Sequence, residues 1–239
     1  MKLFTAVGRR LRRMRRRKKV GRAYDMALEV ARLLPPRADV LDVGCGNGFI
    51  AHHLSGLLRS TVVGLDVMGD TAAKINYVSF DGQHFPIQDG RFDAVLLCYV
   101  LHHVKDAGLV LREVKRVLRK DGLALIYEDI PRRRWDRGVC WTHDRKWRTR
   151  TGPCTFHFDY DWRTVFNSAG FELIMERQLS RWRNLTHPVS RQFYLLSSDR
   201  KEERPKSSRI IDHPTKTLAE QVCVAASPNT SPYSFRLVR

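Results

Sequence analysis

The stretch Val40-Leu-Asp-Val-Gly-Cys-Gly-Asn-Gly48 constrains this chain more than any other. A short apolar run ends in glycines at 44, 46 and 48, and a helical pattern begins directly behind them, with Ile50, Leu54, Leu57 and Leu58 on one stripe. A strand that turns this sharply into a helix needs residues that tolerate positive φ and let a ligand approach the main chain. The helix start also leaves N–H groups without intrahelical partners, directed at whatever occupies the turn. Asp66 closes the next apolar run, about 22 residues beyond Gly44, and an acid at the end of a second strand is placed to hold ribose hydroxyls.

The surrounding pattern repeats strand and helix. Strands are expected at Asp39 to Val43, Thr61 to Asp66, Ile75 to Phe80, Phe92 to Cys98 and Leu123 to Tyr127. The apolar run of the fourth, interrupted only by Asp93, suits a strand buried on both faces. Helices are expected at Tyr24 to Leu34, stopped by Pro35-Pro36, at Phe49 to Leu58, briefly around Gly69 to Lys74, and at Ala107 to Leu118. After Asp129 the period is lost, and residues 130–158 read as a long, partly structured insertion. A helix at Trp162 to Ala169 and strands at Phe171 to Met175 and Gln192 to Leu196 follow. The expected fold is α/β, a Rossmann-like, doubly wound, mostly parallel sheet with helices on both faces. Three segments are expected: a basic amphipathic stretch over 1–23, one domain over 24–198, and a disordered tail over 199–239 rich in Ser, Pro, Lys and Arg.

A glycine-rich turn is shared by several nucleotide-binding enzymes, and two details separate them. The spacing is G-x-G-x-G, and Asp42 lies inside the strand just before the glycines. A carboxylate there repels a pyrophosphate but favours the ammonium and sulfonium of S-adenosylmethionine. At this point the sequence resembles the class I S-adenosylmethionine-dependent methyltransferases of the type-11-like group, strongly over Asp39 to Asp129 and weakly over Trp162 to Leu196. The resemblance implies seven strands, the last antiparallel. It implies that Asp42, Gly44, Cys45, Gly46, Asn47 and Gly48 hold the methionine part of the cofactor. Asp66, with Val67, would hold the ribose, and Phe80-Asp81-Gly82 would lie near the adenine, with Asp81 accepting from its amine. Phe92 to Cys98 matches the strand before the transfer site, with Cys98 at its end also against the cofactor, and Tyr99-Val-Leu-His-His-Val104 matches the segment after it.

Methyl transfer from a sulfonium is an in-line displacement that depends chiefly on alignment. Candidates for a base or a substrate contact are His102, His103, Glu128 and Asp129, although histidines after such a strand also serve to pack or cap the next helix. Cys140-x-x-His143 and Cys154-x-x-His157 raise zinc, but neither spacing matches a standard finger, and no metal is expected. Arg132, Arg133, Arg134, Arg137, Arg145 and Arg148, interleaved with Trp135, Trp141 and Trp147, suit a cover over an anionic or aromatic acceptor, or equally a solvated basic loop.

The net charge of +18 is concentrated in the flanks, with eleven Lys/Arg and no acid in residues 1–24. Such a flank attracts phosphates, on anionic membrane or on nucleic acid. Five scattered cysteines argue against a disulfide framework, and a cytoplasmic location is expected, with peripheral membrane contact left open. The acceptor is expected to be a small molecule or lipid-like compound. An RNA methyltransferase and a non-catalytic cofactor-binding protein remain the alternatives. No Asn-Pro-Pro-Tyr-like tetrapeptide or Pro-Cys dipeptide follows the fourth strand, which lowers base methylation.

Overall fold

The computed structural model describes residues 20–157, 159–180, 188–198 and 235–237. The basic stretch before residue 20 lies outside them, as does most of the tail. Residues 20–31 are helical (α1). Then come β1 (Val40–Val43), α2 (Phe49–Leu58), β2 (Val62–Asp66), β3 (Asn76–Ser79) and β4 (Phe92–Cys98). A 3-10 turn at Leu101–His103 precedes α3 (Ala107–Val117) and β5 (Leu118–Asp129). The chain continues through α4 (Arg134–Thr151), α5 (Asp159–Ser168), β6 (Glu172–Leu179) and β7 (Arg191–Ser197). A short strand β8 (Phe235–Leu237) comes from the tail.

The strands form one sheet in the order β3-β2-β1-β4-β5-β7-β6-β8. Strands β1 to β5 pair in parallel, and β7 inserts antiparallel between β5 and β6. The seven strands expected are therefore present with the last antiparallel, and β8 adds an eighth by pairing with β6. Each face carries its own core. Leu41, Val43, Leu97 and Ile126 pack with Val110, Leu111 and Val114 of α3 and Trp162 and Phe166 of α5. Val40, Val62, Leu96 and Leu125 pack with Ala27 and Val30 of α1 and Ala51 and Leu54 of α2. Period-2 alternation sends neighbouring residues to opposite faces, and both faces are covered, so the strands read as continuous apolar runs.

Three local expectations are corrected. Residues 67–75 contain bends and no helix; Gly69 and Asp70 are poor helix formers, and Thr71 Oγ1 closes a local turn onto the Ala73 carbonyl at 2.8 Å. The fifth strand starts five residues early, because Asp121 adopts φ +61° and lets the pairing with β4 shift between Phe92 and Ala94. Most of the insertion is the 18-residue helix α4. Its apolar period is weak because Asp136 and Asp144 are among its buried residues, which a hydrophobicity pattern counts as exposed.

Candidate functional site

The crossovers leave β1 toward β2 on one side and β4 toward β5 on the other, so a crevice opens at the carboxyl ends of β1 and β4. A cavity of about 740 Å³ occupies it. Its floor is Asp42, Gly44, Cys45, Gly46 and Asn47 from the β1 turn and Cys98 and Tyr99 from the end of β4. The walls come from Arg22, Asp25 and Met26 of α1, from Thr142, His143, Lys146 and Trp147 of α4, and from His102, Asp129 and Arg191.

The β1 turn is shaped by its glycines. Gly44 has φ +68°, and a Cβ there would lie 2.4 Å from Val100 Cγ2. Gly46 has φ +57° and open space where a Cβ would be, so its main chain is exposed to a ligand. The turn is fastened to β2: the Gly44 N–H donates to the Leu65 carbonyl at 2.6 Å, and the Gly46 N–H donates to Asp66 Oδ2 at 2.7 Å. Gly48 caps α2 at φ +72°.

Asp42 is buried, and its Oδ2 has no hydrogen-bond partner. Burial, reinforced by the charge of Asp66 and only partly opposed by the Ala51 N–H, raises its carboxyl to about 7. Burial and the same two carboxylates also push the Cys45 thiol up, away from any nucleophilic role. A buried carboxyl with an unsatisfied oxygen at the wall of a cavity is complementary to a cation, which fits an amino-acid ammonium.

The residues expected for the adenosine half lie one strand further out. Asp66 is buried and accepts from Gly46 and, through Oδ1, from the Met68 N–H at 3.0 Å. Val67 is exposed, and a Cβ on Gly82 would lie 3.4 Å from its Cγ1, so these two share a rim. Asp81 is exposed and accepts from the N–H groups of Gln83 and His84, each at 2.7 Å, which lowers its carboxyl. Asp66, Val67, Asp81 and Gly82 do not line the main cavity.

Glu128 is fully buried at the end of β5. It accepts from the Leu101 N–H at 2.7 Å, and its Oε2 lies 2.6 Å from His102 Nδ1. Burial pulls His102 down, but the charge and hydrogen bond of Glu128 outweigh it and hold the imidazole above its usual range. His102 Nε2 is buried with no hydrogen-bond partner. His103 Nε2 is 3.1 Å from His143 Nε2, and His103 Nδ1 is 3.3 Å from Cys154 Sγ. Burial and the two neighbouring histidines lower His103 to about 3, so it is neutral. Asp129 pairs with Arg191 Nε at 3.0 Å, and the Arg191 guanidinium lies over the Tyr99 ring.

The structure thus joins Asp42, the glycine turn, Cys98, His102 and Asp129 around one cavity, with Glu128 behind His102 and His103 beside it. Neither Cys–His pair supplies a ligand set among the described residues; His143 instead joins His102 and His103, while His157 packs edge-on against Trp162. Trp147 and Lys146 face the cavity, whereas Trp135 and Trp141 are exposed and Arg132 and Arg148 engage Gln192 and Asp144. Sequence reasoning named Tyr99 only as the start of the segment after the fourth strand and did not single out Arg191 or the α1 residues Arg22, Asp25 and Met26. The backbone of Tyr99, at φ +61° for an aromatic residue, is the structural mark of its position.

Comparison with known proteins agrees with this geometry. The methyltransferase domain family matches residues 41–126. The chain is 33% identical over 116 residues to a malonyl-[acyl-carrier protein] O-methyltransferase of Legionella pneumophila, covering 44% of this chain and 40% of that protein. It is 35% identical over 113 residues to a fatty-acid O-methyltransferase of Mycolicibacterium smegmatis, covering 42% and 41%. The chain therefore spans about two-fifths of the length of these relatives. A solved S-adenosylmethionine-dependent methyltransferase of Thermotoga maritima shares the fold, with a TM-score of 0.59 and 18% identity over 80% of this chain and 97% of that one. The glycine turn, the strand order and the matched segment agree: residues 41–126 match a methyltransferase domain, set in the fold of class I S-adenosylmethionine-dependent methyltransferases.

Proposed function

We propose that this protein transfers a methyl group from S-adenosylmethionine to a small or lipid-like acceptor by in-line displacement. The observation that carries the reading is one cavity lined both by Asp42, whose carboxyl oxygen is unsatisfied, and by His102. When bound, S-adenosylmethionine supplies an activated methyl group on a sulfonium. Asp42 meets its ammonium, the exposed main chain of the 44–47 turn lies along its methionine part, and Cys98 lies beside it at the end of β4. Asp66 and Val67 take the ribose and Asp81 and Gly82 the adenine. Tyr99, Met26 and Trp147 offer the acceptor apolar surface, and α1 and α4 exclude water from the reacting atoms. Glu128 fixes the orientation of His102 through Nδ1, so Nε2 is the ring nitrogen left for the cavity side.

The acid and fatty-acid acceptors of the two relatives support a carboxyl- or hydroxyl-bearing acceptor over a nucleic acid. Among the described residues no helix is long and apolar enough to cross a membrane, which is compatible with an acceptor delivered from a membrane surface or from solution.

The test is calorimetric titration of S-adenosylmethionine and S-adenosylhomocysteine, followed by transfer of labelled methyl to fatty acids, acyl thioesters, phenols and bulk RNA. Wild type should bind both compounds, and Asp66→Ala should weaken binding roughly 10–150-fold, because it removes a charge-assisted contact of about 1.5–3 kcal/mol and unfastens Gly46. Label appearing in RNA alone, or in nothing despite tight cofactor binding, would overturn the acceptor assignment.

A further inference from the structure

Three imidazoles from two distant parts of the chain converge at the inner wall of the cavity. One ring nitrogen each from His102, His103 and His143 lies within 4.8 Å of the other two. Their other surroundings sort the nitrogens. Glu128 takes Nδ1 of His102, and Cys154 Sγ takes Nδ1 of His103. That leaves Nε2 of His102 buried and unsatisfied, and Nε2 of His103 facing Nε2 of His143 at 3.1 Å. Two ligand nitrogens about 2.0–2.1 Å from one tetrahedral ion are separated by about 3.3 Å, close to the observed spacing.

We infer that His102, His103 and His143 form a binding site for a divalent transition-metal ion, zinc or a neighbour in its series, with a fourth position open toward the cavity. All three donors are neutral-capable imidazoles, a set that suits zinc, cobalt, nickel or iron and disfavours magnesium and calcium. A carboxylate behind one ligand histidine and a thiol behind another are the outer partners that orient such ligands. The outer frame is itself held: the Thr155 N–H donates to the His102 carbonyl at 2.7 Å, and the Phe156 ring stacks on His102 at 4.7 Å. Whichever of His103 and His143 carries the proton between the two Nε2 atoms shifts it to its own Nδ1 when the ion enters, so both rings ligate as neutral imidazoles. His102 and His143 both line the cavity, so the open position faces the acceptor and takes an oxygen donor, a hydroxyl or a carboxylate. This last step rests on the methyltransferase reading; the ion site does not.

The test uses the full chain, stripped with chelator, titrated with Co²⁺ and followed by visible absorption, then with Zn²⁺ in competition against a chromogenic chelator. One equivalent should bind at micromolar or tighter affinity, with the intense bands of a tetrahedral ion. His143→Ala and His103→Ala should each weaken binding at least 100-fold, Cys154→Ala about 10–100-fold, and His157→Ala not at all. Circular dichroism of each variant separates lost ligation from lost folding, and His143→Gln, the milder change, must show the same loss. The inference is overturned if wild type binds no stoichiometric Co²⁺ or Zn²⁺ below millimolar concentration, or if the His143 variants bind like wild type. S-adenosylhomocysteine affinity, measured on the same stripped protein, reports the cofactor reading separately.

Discussion

Asp42 is predicted to make the folded protein less stable as pH rises, in return for a place to bind a cation. Its carboxyl is raised from 3.8 to about 7 in the folded state. Between these values the native state holds a proton that the unfolded chain releases, so stability present below about pH 4 is lost as pH rises through 7. Roughly three pH units at about 1.4 kcal/mol each set a ceiling of about 4 kcal/mol. Asp42→Asn keeps the shape and the acceptor for the Ala51 N–H but cannot ionise. Burying its amide costs about 1–3 kcal/mol at every pH. The stability of the variant relative to wild type should therefore climb by about 3 kcal/mol from pH 5 to pH 8, where the variant should equal or exceed wild type. Urea denaturation across that range measures the gap. The ligand should show the mirror image. An ammonium binds the ionised carboxyl, so wild-type affinity for S-adenosylhomocysteine should be about tenfold weaker at pH 6 than at pH 8, and the variant should bind weakly and without this slope. A stability gap that stays constant within ~0.5 kcal/mol between pH 5 and 8 would refute the assignment of a raised, buried carboxyl.

The two glycines of the turn should separate folding from binding. Gly44→Ala drives a methyl against Val100 on top of its positive φ and should lower stability by about 2–4 kcal/mol, whereas Gly46→Ala meets open space and should cost only about 1–2 kcal/mol while sharply weakening S-adenosylhomocysteine binding. Equal effects of the two on both measurements would contradict the described turn. Trp162 is fully buried and stacked on Phe166 with ring centroids 5.8 Å apart, so Trp162→Ala should cost about 3–5 kcal/mol by chemical denaturation, and a loss under 1 kcal/mol would show that α5 does not pack as described.

Much of this was legible because the signals are local. Phe92 to Cys98 was bounded correctly from an apolar run interrupted only by Asp93, since a strand covered on both faces shows no regular polar side. The glycines at 44, 46 and 48 all take positive φ, as a tight strand-to-helix turn demands of any chain. Helix α4 was not legible: its buried face includes Asp136, which accepts from the Arg133 N–H and from Ser190 Oγ, and Asp144, which accepts from the Cys154 N–H. Those partners lie outside the helix pattern, so the carboxylates read as solvated ones.

The sequence alone therefore determined the parallel α/β architecture, the glycine turn and the acid inside its strand, because each follows from backbone conformation or from neighbours close in the chain. What faces that turn was decided only by the tertiary structure. His143 lies forty residues from His103 in the chain and 3.1 Å from it in space, and Arg191 reaches Asp129 only because β7 inserts antiparallel beside β5. The spacing of Cys140 and His143 pointed to a local pair, but helix packing turned His143 toward residues from another crossover. Burial, which no residue carries by itself, then made a neutral imidazole of His103 and a cation-seeking carboxyl of Asp42.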